Sequence, residues 1–123
     1  MDLLADIVVA LVALLHLYFL VLEMFLWDKP AGLRVFGLTP EAAASSKVLA
    51  ANQGLYNGFL AAGLVWGMVT HVRGTGIMKF FLACAVIAGA FGAATVKPSI
   101  FYVQALPAVL AFLALLVSQR QET

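Results

Sequence analysis

A chain of 123 residues that is 64% hydrophobic and only 11% charged, with a mean hydropathy of +1.05, has too few charges to clothe a water-soluble core, since soluble domains carry about a quarter. Its length leaves room for one domain, and a net charge of +1 without a basic run excludes nucleic acid as a partner. The single cysteine, Cys84, lies in an apolar run; it reads as a buried structural thiol and says nothing about redox compartment.

A membrane-crossing helix needs about 20 mainly apolar residues. The first such run covers 3–27 and closes on Trp27-Asp28-Lys29-Pro30, an interfacial aromatic followed by charges and a helix breaker. Asp2, Asp6, the lack of a basic leader and the length of the run argue against a signal peptide. The second helix is expected over 40–70, with Thr39 as N-cap and Pro40 in the first helical position. Its apolar part starts only at Lys47, so about two turns would stand outside the hydrocarbon.

A third helix is expected over 77–96 and a fourth over 98–118, before the polar tail Gln119-Arg120-Gln121-Glu122-Thr123. Short turns over 70–76 and 95–98 make helices two, three and four antiparallel neighbours. The expected fold is all-α: an antiparallel four-transmembrane-helix bundle with short connections, one integral domain over 1–123, multi-pass in the inner (plasma) membrane. Arg73, Lys79 and Arg120 on one set of connections face Lys29, Arg34, Lys47 and Lys97 on the other. That balance is too even for the positive-inside rule to orient the chain.

Small residues indicate where helices approach. Gly54 with Gly58, and Gly63 with Gly67, form two small-xxx-small pairs half a turn apart on the second helix, so neighbours are expected on both its sides. Gly89 and Gly92, with Ala85 and Ala88, offer the third helix as the matching surface. In the fourth, Pro107 removes a backbone donor and frees the carbonyl of Val103 beside Gln104.

Ionisable side chains inside a membrane segment cost at least ~2.5–3.5 kcal/mol each and are functional candidates by default. His16 and Glu23 are seven residues apart on one stripe of the first helix, His16 near mid-membrane and Glu23 about 10 Å further along. The second helix returns from that side with Asn52, Gln53, Tyr56 and Asn57 over an arc of roughly 140°, on the side away from Gly54 and Gly58. Tyr102 and Gln104 on the fourth helix, and Thr95 and Lys97 at the end of the third, are expected at similar depth. Polar groups from all four helices would thus gather in one leaflet.

Each residue also has a plainer reading. Amides and phenols between membrane helices serve as interhelical glue worth ~0.6 kcal/mol. Tyr18, Tyr56, Trp27 and Trp66 pack or sit at the interface, and a buried His16 is commonly just satisfied. Glu23 either snorkels to pair with Lys29 or Lys97, or is a desolvated carboxyl suited to proton transfer or cation binding.

The runs His16-Leu17-Tyr18-Phe19, Leu22-Glu23-Met24-Phe25-Leu26-Trp27, Val35-Phe36-Gly37-Leu38 and Asn52-Gln53-Gly54-Leu55-Tyr56-Asn57-Gly58-Phe59-Leu60-Ala61, together with Gln104 and Pro107, resemble one family. It comprises small bacterial membrane proteins catalogued as domain of unknown function 1304. The resemblance covers almost the whole chain and implies a four-helix membrane protein, without an activity to transfer.

Three functions fit these residues. The first is a polar intramembrane pocket around Glu23 for a small lipophilic molecule, bound or chemically converted. Glu23 and His16 would act as acid and base, and Asn52, Gln53, Tyr56, Asn57, Tyr102 and Gln104 would orient the ligand. Isomerisation or hydrolysis of a strained ring would need no cofactor. No metal-ligand spacing, phosphate loop or nucleophile elbow is present. The second is a proton-coupled small transporter or channel, resembling small multidrug resistance transporters, working as a dimer (a homo-oligomer) with Glu23 as its shared proton and cation site. The third is a structural assembly partner in the bilayer.

Overall fold

The computed structural model describes residues 3–118; Asp2 and the polar tail with Arg120 lie outside them. Among the described residues the chain is all-α, with no strand. In order it forms α1 (Leu3–Met24), α2 (Pro30–Phe36), α3 (Pro40–Val69), α4 (Gly74–Thr95), a π-helical turn (Phe101–Ala105) and α5 (Leu106–Val117). Its contacts fall into two units, Leu14–Ala61 and the remainder, so α1 and α3 contribute to both.

Length and composition make α1 and α4 long and apolar enough to cross a membrane, while the apolar helix Phe101–Val117 is shorter. α3 has 30 residues, but Asn52, Gln53 and Asn57 interrupt its apolar run. Two crossings are carried by this measure rather than the four expected.

In the unit Leu14–Ala61, α1 gives way after Met24 to a tight turn closed by the Lys29 N–H on the Leu26 carbonyl at 3.1 Å. Pro30 then opens α2, a helix absent from the sequence expectation. A proline costs nothing there, because the first helical N–H has no partner anyway. α2 ends at Gly37, whose φ of 64° is left-handed. The Leu38 N–H reaches back to the Leu33 carbonyl at 2.9 Å, the long bond of a Schellman end. Thr39 caps α3 as its sequence suggests: its Oγ1 accepts from the Ala42 N–H at 3.1 Å.

Two side-chain ties hold the connection to α3. The Trp27 indole donates to Ser46 Oγ at 3.0 Å and packs on Phe36 at 4.8 Å between ring centroids. Lys47 pairs with Asp28 at 3.0 Å. The hydrogen bond from Lys47 holds the Asp28 carboxyl below its ordinary range. Its contribution is therefore present above that range and fades as pH falls through the depressed value; both partners meet solvent, so it is weak. Trp27→Phe keeps the ring packing and removes only the bond to Ser46. A loss of about 1 kcal/mol is expected, measured by thermal unfolding in detergent against the parent.

In the remaining unit, Met78, Leu82, Ala85 and Gly89 form the buried stripe of α4, and Ala108, Ala111 and Leu115 that of α5. A Cβ on Gly63 would meet the Phe81 ring at 2.5 Å, and one on Gly67 would meet Met78 Cγ at 2.5 Å, so α3 packs closely on α4 here. Gly89 and Gly92 were expected to receive the second helix. They instead face Ala105 and Ile100 in the segment leading to α5, and Ala88 is exposed. Small residues fix how near a neighbour comes, not which neighbour it is.

The consequence of Pro107 is visible as well. With no N–H at 107 the α pattern cannot continue through Val103, and the chain widens by one residue just before it. The Leu106 N–H bonds to the Phe101 carbonyl, five residues back, as in a π turn.

Size is distributed inversely to a soluble core. Alanine predominates among the buried apolar residues, whereas Leu14 (60%), Phe80 (63%), Ile87 (69%) and Phe91 (69%) are exposed. Water would penalise that surface at roughly 25 cal/mol per Å²; lipid would not.

Candidate functional site

Glu23 is the next-to-last residue of α1. Gly54 on α3 leaves room for α1: a Cβ there would lie 2.7 Å from Met24 Cγ, 3.0 Å from Glu23 Cβ and 3.2 Å from the Leu20 carbonyl. One turn further along α3, Asn57 is buried at 6% exposure and donates from Nδ2 to Glu23 Oε1 at 2.5 Å. The causal order runs from glycine to close approach, and from close approach to a hydrogen bond between helices. Within Leu14–Ala61 Asn57 is the one hydrogen-bond partner of Glu23, and no lysine of that unit pairs with it. Within this unit Lys29 does not pair with Glu23, and the lysine pair belongs to Asp28.

Asn57 also corrects the sequence geometry. It was placed with Asn52, Gln53 and Tyr56 on the side away from Gly54 and Gly58. In the structure it shares the buried stripe Ala50, Gly54, Asn57 and Ala61, a spacing of three and four residues that keeps one helix face. It was the edge of the arc nearest the glycines. The rest of the arc points out: Asn52 is exposed and its amide donates to its own helix at the Val48 carbonyl, 3.3 Å away. Gln53 is exposed, and Tyr56, 57% exposed, packs on Phe59.

His16 is fully buried, edge-on to Phe19 at 6.2 Å. Two turns of helix separate it from Glu23, about 10 Å, too far for the two to share a proton directly. In the other unit, Tyr102 is 66% exposed and edge-on to Phe101, and Gln104 is half-buried within the π turn. Within Leu14–Ala61 the candidate site therefore reduces to the half-buried Glu23 carboxyl with Asn57. Among the described residues no group of three or more His, Cys, Asp or Glu could hold a metal ion.

Sequence reasoning missed the tie from Trp27 to Ser46 and that from Asp28 to Lys47. A signal existed: both pairs join the first connection to the first turns of α3, where Ser46 and Lys47 stand side by side.

The family model described as protein of unknown function (DUF1304) matches residues 10–116. The chain belongs to this family. A relative of this DUF1304 chain, the "Uncharacterized protein YpaA" of Lactococcus lactis subsp. lactis (strain IL1403), is 30% identical over 116 residues, covering 93% of this chain and 98% of the relative. No solved structure matches.

Proposed function

We propose that this DUF1304 chain is a multi-pass protein of the inner (plasma) membrane, crossing it with four segments: α1, α3, α4 and the apolar stretch ending in α5. Glu23 is its binding group for a small lipophilic molecule that carries a hydrogen-bond donor or a positive charge. The outward-facing large apolar side chains and small buried residues support the membrane reading. One observation supports the ligand reading: a carboxyl with several acceptor positions receives a single donor, Asn57, among the described residues. At the edge of a hydrocarbon layer, unfilled acceptors are costly, and a donor-bearing molecule arriving from lipid would fill them. A carboxyl so placed is also suited to acid–base chemistry on that molecule.

Transport finds less support, because Glu23 lies one residue from the end of α1 and transport sites sit near the midplane. The structural reading rests on the same Glu23–Asn57 bond, so the experiment must separate the two. Glu23→Gln keeps a carbonyl acceptor for Asn57. It is expected to insert and to unfold within about 1 kcal/mol of the parent. Small molecules co-purifying with the parent, read by mass spectrometry, are expected to fall about tenfold, the scale of one charge-assisted hydrogen bond. Unchanged co-purification, or a collapse of stability in this variant, would leave Glu23 as interhelical glue.

A further inference from the structure

A second site lies wholly outside the Glu23 unit. Trp66 on α3, Arg73 before α4, and Gly76, Ile77, Phe80 and Phe81 on α4 line an open groove of about 550 Å³. Its walls are aromatic and aliphatic, with Trp66 57% and Phe80 63% exposed. Gly76 leaves its floor bare: a Cβ there would meet no atom within 4 Å. Arg73 supplies the single charge. It is exposed, and its guanidinium has no hydrogen bond or ion pair among the described residues. Its backbone is left-handed at φ 67°, and it is the one non-glycine residue with positive φ among those described. A bulky residue in that region carries strain, and such strain concentrates where a side chain must be aimed. Glycine or asparagine would have made the turn at less cost.

The geometry points to a binding site for an anionic phospholipid, with Arg73 holding the phosphate and an acyl chain lying across Trp66, Ile77, Phe80 and Phe81. A planar guanidinium matches two phosphate oxygens at once, which a neutral or merely apolar groove does not offer. Arg73 stands at the end of α4, a helix long and apolar enough to span, and so at headgroup level. The inference rests on the membrane part of the proposed function and is independent of the Glu23 part.

The test uses full-length protein carrying Trp27→Phe, so that Trp66 is the remaining indole, reconstituted in phosphatidylcholine vesicles. Doxyl-labelled phosphatidylglycerol or doxyl-labelled phosphatidylcholine is then titrated in. The anionic lipid is expected to quench Trp66 at about fivefold lower concentration, the factor one basic residue contributes at an anionic surface. Arg73→Gly suits the left-handed backbone and removes the charge; it should fold at least as well and abolish the preference, while Arg73→Lys should restore part of it. Gly76→Phe fills the floor and leaves Arg73 in place, and it should also abolish the preference. Retention of the preference in Gly76→Phe would mean diffuse surface attraction and overturn the site. Displacement of the labelled lipid by millimolar inorganic phosphate alone would overturn the lipid in favour of a free anion. Equal quenching by both lipids would defeat the groove while sparing the membrane reading. No quenching by either would defeat both.

Discussion

A Gly89→Val chain is expected to unfold at markedly lower temperature than the parent and to lose the seating of α4 against the segment leading into α5. Even a lone Cβ at 89 would lie 2.6 Å from the Ala105 nitrogen, 2.7 Å from its Cβ and 3.0 Å from its Cα. Two of those three atoms are backbone. They belong to the last residue of the π turn, which Pro107 already obliges to depart from the α pattern. A flexible side chain could swing aside, but this neighbour can yield only by moving a helix. Overpacking in a tight contact costs roughly 1–3 kcal/mol, and more where the backbone must shift. The branched side chain adds two further carbons, so about 3 kcal/mol is the expected scale. Gly89→Ala should fall between it and the parent. Ala90→Val, next along the chain and exposed, is the control and should stay within about 0.5 kcal/mol. The measurement is thermal unfolding in detergent followed by far-UV circular dichroism. Equal losses at 89 and 90 would show that the close approach of α4 does not contribute to stability.

Gly89 and Gly92 together show what a sequence can and cannot carry. Glycines at 89 and 92 announce a neighbour at short range, but any helix with a small or backbone-presenting surface satisfies that announcement. Only the fold selects Ala105 and Ile100 over α3. Pro107 is legible as a lost donor, since the loss is a property of the residue itself. How the chain absorbs it, by the widened turn over Phe101–Ala105, depends on which carbonyls can find partners.

Elements with strong local chemistry could be read directly. Thr39-Pro40 places the start of α3 to the residue, because a cap and a first-turn proline act on their own backbone. α2 was invisible for the opposite reason: seven residues between Pro30 and Gly37 are too few for hydrophobic periodicity to register. Glu23 and Asn57 stood out because polar side chains in apolar runs are rare. Their pairing did not, because azimuth averaged over Asn52, Gln53, Tyr56 and Asn57 hid that one member leans toward the glycine stripe. A rotation of about 100° per residue makes a four-residue average a poor guide to any single side chain.

Gly32→Ala is expected to disrupt the first connection, with an effect set by where its methyl group must go. The added Cβ would collide with the Leu26 carbonyl oxygen and lie 2.7 Å from the Trp27 carbonyl oxygen and 2.9 Å from the Leu26 carbonyl carbon. All three atoms are backbone of the turn that leaves α1, so α2 must lift away. Lifting α2 carries Phe36 off the Trp27 ring and pulls the indole from Ser46. A loss of about 2–3 kcal/mol is expected, together with a red shift of Trp27 emission in a Trp66→Phe background. Two other glycines calibrate the result, since each isolates one term. Gly37→Ala meets no atom within 4 Å but keeps φ at 64°, so it should lose about 1 kcal/mol from backbone strain alone. Gly76→Ala has open space and sits within α4, so it should gain about 0.5–1 kcal/mol. A red shift with Gly37→Ala equal to that with Gly32→Ala would place the sensitivity in α2 as a whole. A shift confined to Gly32→Ala would place it in the carbonyls of Leu26 and Trp27, the backbone that carries the chain out of α1 just beyond Glu23.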